Sequence, residues 1–276
     1  MMDYFGYAGK CCVVTGASSG MGKATTEVLL DLGAKVIGLD VVENVLPGVQ
    51  YIPMDVSDRQ SIDKAFAQIP EKIDAFFAAA GVSGQKQSFE LTFKINFMGN
   101  RYILDAYLGE RMKEGGAIAI ISSMAGARWK EYLDEYKAVA DADDWDGMIA
   151  KIKELEPDKH TGIDGYVLSK RAIAYYALSH VKYWADKKVR INLLMPGSTH
   201  SAMTAAFIEA GMEDELLKTT GPAKRLAETR EMAEPFVFLN SQMASFINGN
   251  TLTGDFGMDA MIKNGEIADE YAFNVI

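Results

Sequence analysis

Six short apolar runs, separated by stretches of helical spacing, constrain this chain more than any other feature. They are Lys10–Thr15, Lys35–Asp40, Tyr51–Asp55, Ile73–Ala80, Ala117–Ser122 and Arg190–Met195. Runs that are apolar at successive positions, not at every second one, belong to strands covered on both faces. The covering layers are expected from the stretches between, such as Gly22–Leu32 closed by Gly33, and a helix entering at Ser57 as N-cap and running through Gln68. The pattern predicts an α/β fold, a doubly wound parallel sheet of the Rossmann type, as a single domain over 1–276. With 49% apolar and 24% charged residues the chain has the balance of an ordinary globular protein. No apolar run approaches the ~20 residues of a membrane span, so no membrane partner is expected. A net charge of −10 with no basic stripe argues against nucleic acid as a partner. Cys11 and Cys12, neighbours on a strand, point to opposite faces and are expected to stay thiols. The N-terminus has no charged start followed by an apolar stretch, which predicts a cytoplasmic protein.

One segment breaks the rhythm. Residues 128–162 are rich in Asp, Glu, Lys, Trp and Tyr and hold no strand-like run. The spacing predicts two short helices, Tyr132–Ala140 and Trp145–Leu155, inserted between a strand and the helix that begins near Ile163. Such an insertion is either a solvated surface feature or a lid.

Between the first strand and the first helix lies Thr15-Gly16-Ala-Ser18-Ser19-Gly20-Met21-Gly22. Glycines there permit a tight turn and let a pyrophosphate approach the backbone, while the helix start offers unpaired N–H groups and a positive dipole end. Asp40 closes the second strand eighteen residues after Gly22. That is where an acid can bond the hydroxyls of an adenosine ribose. A carboxylate there repels a 2′-phosphate, and Val41-Val42-Glu43 supplies no cation, so NAD is favoured over NADP. Asp55-Val56 and Ala80-Gly81 end the next two strands and belong to the same cleft, since ligands of open α/β sheets sit beyond the strands' carboxyl ends. No metal site is expected.

Ser122-Ser123 ends the fifth run, and Tyr166-Val-Leu-Ser-Lys170 opens the helix after the insertion. Residues four apart share a helical face. A free phenol has a pKa near 10, and an ammonium nearby favours its ionised form. Tyr166 beside Lys170 is therefore a device for moving a proton to or from an alcohol oxygen near neutrality.

In this order TGASSGMG, Asp40, Asp55-Val56, AAAG, Asn96, ISSMAG, YVLSK and Pro196-Gly197 resemble the short-chain dehydrogenase/reductase family along nearly the whole chain. The resemblance implies Tyr166 as catalytic acid/base and Lys170 as the residue that lowers its pKa and holds the nicotinamide ribose. It also implies Ser123 as hydrogen-bond partner of the substrate oxygen and Asn96 as holder of a proton-relay water. Gly16, Ser18, Ser19, Gly20, Met21, Gly22, Asp40, Asp55, Val56, Ala80 and Gly81 would bind the cofactor. Pro196, Gly197, Thr199 and Ser201 would clasp its carboxamide. The implied chemistry is reversible hydride transfer between NAD(H) and a secondary alcohol or ketone.

Two departures stand out. The usual asparagines before the AAAG glycine are Ala78 and Ala79, so hydrogen bonds steadying that strand are expected to be missing. The gap from Ser123 to Tyr166 is 43 residues against the usual dozen, which resembles the bacterial 3α-hydroxysteroid dehydrogenase/carbonyl reductase branch. Family members assemble through the two long helices that flank the site, and the insertion lies against that surface. A homodimer through another face is expected.

Residues 199–227 occupy the place of the family's substrate loop. Its apolar side chains, Met203 and Phe207 among them, suit a bulky flat substrate. His200 reads as a surface residue. Trp129 and Tyr132 either add to that wall or pin the insertion. The first expectation is the 3α-hydroxyl of a steroid or bile acid. The alternatives are a broad carbonyl reductase for small cyclic or aromatic ketones, or a catalytically silent dinucleotide-binding module.

Overall fold

The computed structural model describes residues 3–209, 213–269 and 275–276. Seven strands lie in one sheet: β1 (Cys11–Thr15), β2 (Lys35–Asp40), β3 (Gln50–Pro53), β4 (Ile73–Ala78), β5 (Met112–Ile121), β6 (Arg190–Pro196) and β7 (Thr251–Gly254). All pair in parallel, in the order β3-β2-β1-β4-β5-β6-β7. Alternate residues of β1 feed opposite cores. Val13 packs with Ile37, Phe76 and Ile118 on one face, and Cys12 and Val14 with Phe77, Ala119 and Ile121 on the other. Both cysteines are thiols. Burial on both faces explains the unbroken apolar runs and identifies the doubly wound class.

The chain first winds outward through β1, β2 and β3, then returns to place β4 on the other side of β1. The connections leaving β1 and β4 therefore part in opposite directions and open a crevice beyond the strands' carboxyl ends. Every expected strand is present. β5 starts at Met112, earlier than its apolar stretch. β7 was not among the six runs, because Thr-Leu-Thr-Gly is short, half-buried and hardly apolar. The second helix, Arg59–Phe66, is capped by Asp58 and not Ser57. The Asp58 carboxylate accepts from the Gln60 N–H at 2.9 Å, while the Ser57 hydroxyl turns back to Asp55 at 2.7 Å.

Two long helices flank the crevice. One is a helical run over 89–111, in which Lys94–Met98 and Leu104–Leu108 take the wider π turn. The other is Gly162–Ser179, started by a capping box in which the Thr161 N–H donates to Asp164 and the Asp164 N–H donates back to the Thr161 hydroxyl. Their crossing is close because it is made through glycine: a Cβ on Gly165 would fall 2.7 Å from the Phe89 carbonyl oxygen.

The insertion is clamped to both helices. It forms a 3-10 segment Trp129–Glu135, a short helix Lys137–Ala140 and a helix Trp145–Glu154. The expected helix Tyr132–Ala140 is split at Tyr136 (φ −142°, ψ −12°), and its first residue Tyr132 is itself non-helical (φ −122°, ψ 29°), with its ring 3.8 Å from the Arg171 guanidinium. Arg101, buried in the 89–111 run, donates to the carbonyls of Ala140 (3.0 Å), Val139 (3.4 Å) and Ala142. It thereby satisfies the carbonyl end of Lys137–Ala140, where a helix dipole favours a cation. Trp129 packs on Tyr175 at 5.9 Å. Trp129 and Tyr132 thus pin the insertion to the body.

Candidate active site

At the end of β1 the chain must turn within a few ångströms of β4. Gly16 has φ +70°, and a Cβ there would fall 2.8 Å from Ala80 Cα. A Cβ on Gly22 would fall 2.0 Å from the Gly16 carbonyl oxygen. Both positions require glycine. The first helix, Gly20–Asp31, thus begins directly on this turn, and Ser19, Gly20, Met21 and Gly22 present its start to a cleft of about 760 Å³.

Asp40 stands at the tip of β2 on the same cleft. Its carboxylate accepts from the N–H groups of Ser18 (3.0 Å) and Val42 (3.2 Å). Ser18 itself is buried behind the cleft, with its hydroxyl donating to the Val42 carbonyl. Read as a cofactor contact, it instead shapes the loop that holds Asp40. Asp55, Val56, Ala80 and Gly81 line the middle of the cleft. The bonds expected to be missing at Ala78-Ala79 are replaced by Thr15, whose hydroxyl oxygen accepts from the N–H groups of Ala79 (3.1 Å) and Ala80 (3.2 Å).

The far end of the cleft holds Ser123, Tyr166 and Lys170. Ser123 caps a 3-10 turn, Met124–Gly126, and its oxygen accepts from the Ala125 N–H at 3.2 Å. Strand end and helix are joined at Gly126, where a Cβ would fall 2.5 Å from Ser122 Oγ and 2.6 Å from the Lys170 carbonyl oxygen. Ser122 donates to that carbonyl at 2.8 Å. Lys170 Nζ lies 5.7 Å from the Tyr166 ring centroid and donates to the Ile121 carbonyl at 3.1 Å. Burial pushes the Tyr166 phenol up, and a hydrogen bond with Ser123 pulls it partly back. Burial brings the Lys170 ammonium down to about 8. Both shifts have one cause, the cost of charge in a poorly solvated cavity.

Asn96 is buried in the first π turn and does not line the cleft wall. It clamps the loop after β4, accepting from the Val82 N–H (2.9 Å) and donating to the Val82 carbonyl (3.0 Å). A Cβ on Gly81 would fall 3.2 Å from Asn96 Oδ1 and 3.5 Å from Lys170 Nζ, so both residues flank one glycine.

Beyond β6, Pro196, Gly197, Thr199 and Ser201 line the cleft. Thr204, which the sequence reading passed over, organises this stretch: its hydroxyl donates to the Thr199 carbonyl (2.9 Å) and accepts from the Ser201 N–H (2.9 Å). Ser201-x-x-Thr204 ahead of an apolar stretch was its available signal. Met203 and Phe207 fall on the helix Ala202–Glu209, but their side chains lie outside the described residues. The apolar wall that is described comes from Val82, Ile95, Ile163, Val167 and Leu216. His200 is half-exposed and stands 3.8 Å from Glu228.

Residues 10–139 match the family model described as short chain dehydrogenase, and 158–259 one described as enoyl-(acyl carrier protein) reductase. The chain is 30% identical to a coniferyl-alcohol dehydrogenase of Pseudomonas sp. strain HR199, over 90% of this chain and 96% of the relative. It is 27% identical to a 3-alpha-hydroxysteroid dehydrogenase/carbonyl reductase of Comamonas testosteroni, over 91% and 97%. A crystal structure of the 3-alpha-hydroxysteroid dehydrogenase of Pseudomonas sp. B-0831, complexed with NADH, superimposes with a TM-score of 0.80 at 28% identity, covering 92% of this chain and 98% of that one.

Proposed function

The chain belongs to the short-chain dehydrogenase family, and from that premise we propose that it transfers a hydride between NAD(H) and a bulky, apolar secondary alcohol or its ketone. The observation that carries the reading is one continuous cleft with Asp40 and the glycine turn at one end and Ser123, Tyr166 and Lys170 at the other. The residues fit a dinucleotide: bare glycine backbone faces the pyrophosphate position, and Asp40 is fixed where ribose hydroxyls can donate to it. A 2′-phosphate would meet that carboxylate. Two like charges about 4 Å apart repel by several kcal/mol where screening is weak.

NAD(H), when bound, would supply the hydride acceptor in oxidation and the donor in reduction, with Pro196, Gly197, Thr199 and Ser201 lining the place that would hold its nicotinamide end. Tyr166 takes the hydroxyl proton in oxidation and gives it back in reduction. Ser123 holds the substrate oxygen beside that phenol. Lys170 supplies the positive charge that favours the phenolate. Asn96, Gly81 and Val82 keep the cavity around Lys170 in shape.

The first substrate candidate is the 3α-hydroxyl of a steroid or bile acid, supported by the 27% identical relative and the apolar wall. The second is broad activity on small cyclic or aromatic ketones and their alcohols, extending to primary aromatic alcohols and their aldehydes, supported by the 30% identical coniferyl-alcohol dehydrogenase. NADH absorbance separates them when the protein meets NAD, and in parallel NADP, with steroids and bile acids carrying 3α, 3β, 7 or 12 hydroxyls, coniferyl alcohol and cyclohexanol. The expected result is fast NAD reduction with the 3α-hydroxyl and about a hundredfold preference over NADP, near 2.7 kcal/mol of discrimination. Turnover confined to the aromatic alcohol would move the assignment to the second candidate, and turnover of none would overturn it.

We propose further that the protein is a homodimer that leaves the two long helices unshared, since the insertion is clamped on both. One edge of the sheet is β7, and five residues ahead of it Phe246 is fully exposed, with Met243 largely so. Exposed apolar side chains beside an unpaired strand edge suit association. Light scattering should give twice the chain mass, and Phe246→Glu should shift it to the monomer. A tetramer, or a dimer indifferent to that substitution, would count against the assignment.

A further inference from the structure

The segment after β7 begins beside the cleft, against Gly197. The Asp255 carboxylate accepts from the N–H groups of Gly257 (2.9 Å) and Asp259 (2.6 Å) and so starts the helix Met258–Lys263. Asp255 also lies against Gly197 of the cleft, where a Cβ would fall 3.1 Å from Asp255 Cα. That helix supports the base of the substrate loop. A Cβ on Gly221 would fall 2.8 Å from Met258 Cβ, and Thr219, two residues earlier, lines the cleft.

The chain then crosses to the insertion. Asp269, whose side chain is 12% exposed, pairs with Arg128, five residues beyond Ser123. Farther on, the Val275 N–H donates to Glu135 Oε1 at 3.1 Å. The other oxygen of Glu135 accepts from Arg171 at 2.8 Å, in a pair whose side chains are 0% and 9% exposed. Arg171 directly follows Lys170 on the same helix, so its side chain leaves the helix toward the insertion while Lys170 reaches the cleft. A buried ion pair depends on further hydrogen bonds to its remaining polar atoms. Val275 supplies one to the second oxygen of Glu135.

We infer that residues 255–269 are a strap that ties the base of the substrate loop to the insertion at Arg128, with the Val275 N–H as a further anchor that reaches the helix of Tyr166 and Lys170 through Glu135–Arg171. Asp269 and Val275 are its positioning residues. Terminal segments hold their place only where they are tied down, and Asp269 and Val275 each supply such a tie. The strap limits how far the loop base and the Ser123 side can separate, and thereby favours the closed form that grips a substrate. Its effect on catalysis rests on the alcohol dehydrogenase reading, whereas the mechanical link does not.

The test uses the full-length chain carrying Asp269→Asn with Val275→Pro. The first removes the charge paired with Arg128, and the second removes the N–H given to Glu135 while keeping an apolar side chain. Amide hydrogen exchange is read at Lys137–Ala140 in the insertion and at Glu213–Lys218 in the loop. The strap predicts faster exchange in both segments, with the NADH dissociation constant unchanged. It also predicts that KM for the alcohol rises about tenfold with kcat held within twofold, because apparent affinity falls with the fraction of closed protein. Faster exchange confined to the insertion would make the tail a local latch and overturn the inference, as would unchanged exchange in both. If the unaltered protein oxidises no alcohol, the activity reading fails, and the exchange data still decide the strap.

Discussion

Replacing Tyr166 by Phe is expected to lower kcat for alcohol oxidation by about 10³-fold or more while leaving NADH binding within about twofold, because a positioned acid–base group contributes roughly 10²–10⁴ to rate. The substitution deletes one oxygen. The ring remains, and with it the packing that lets Lys170 Nζ sit 5.7 Å from its centroid. The lost group is the one that Ser123 bonds and that faces the cleft. A proton leaving the alcohol then has no acceptor in reach, since the Lys170 ammonium is itself a donor, spent on the Ile121 carbonyl. NADH fluorescence titration and steady-state rates on one preparation test both halves. Turnover within tenfold of the unaltered protein would remove Tyr166 from the chemistry. Unchanged binding with no activity in either protein would favour a silent dinucleotide-binding module.

The sheet was legible because its strands are buried on both faces. Val13 and Val14 serve different cores, so neither could be polar, and the run stands out from its surroundings. β7 was not legible for the complementary reason: it is half-buried at the edge and needs no such run. The nucleotide turn could be read residue by residue because sterics there permit only glycine, at Gly16 against Ala80 and at Gly22 against the Gly16 carbonyl. Roles that depend on long-range partners were hidden. Nothing local tells that Ser18 turns inward to hold Asp40, that Thr15 replaces the missing asparagines, or that Arg101 caps a helix thirty-six residues downstream. The insertion read as either solvated surface or lid. It became a docked unit only once two buried arginines, each on a different helix, were seen to find its carbonyls and Glu135. Buried charges of this kind are visible in a sequence only as charges.

The pH profile of alcohol oxidation should rise through a single alkaline limb, and Lys170→Met should move that limb upward by at least about one pH unit, the least that removal of an adjacent opposite charge produces. The sign follows from the cavity. Burial raises the phenol and lowers the ammonium only to about 8, so near pH 7 the resting pair is a protonated phenol beside an ammonium, and the phenolate forms only as the pH rises. Oxidation needs Tyr166 as proton acceptor, hence its rate grows as pH climbs toward the pair's apparent pKa. Ketone reduction needs the phenol protonated and falls over the same range. The two groups interact, so the limb belongs to the pair and not to either residue. With methionine at 170 the phenolate has no cation beside it, only the Ser123 hydrogen bond offsets desolvation, and ionisation needs higher pH. Oxidation at pH 7 should then drop by about tenfold for each unit the limb moves, since one pKa unit is a factor of ten in the phenolate fraction. Methionine also forfeits the hydrogen bond to Ile121, which would lower stability without moving a pKa, so Lys170→Arg serves as control. It keeps the charge and should return the limb toward its original position even where kcat stays low. A limb that sits at the same pH in all three proteins would show that Lys170 holds the site in shape and does not tune Tyr166.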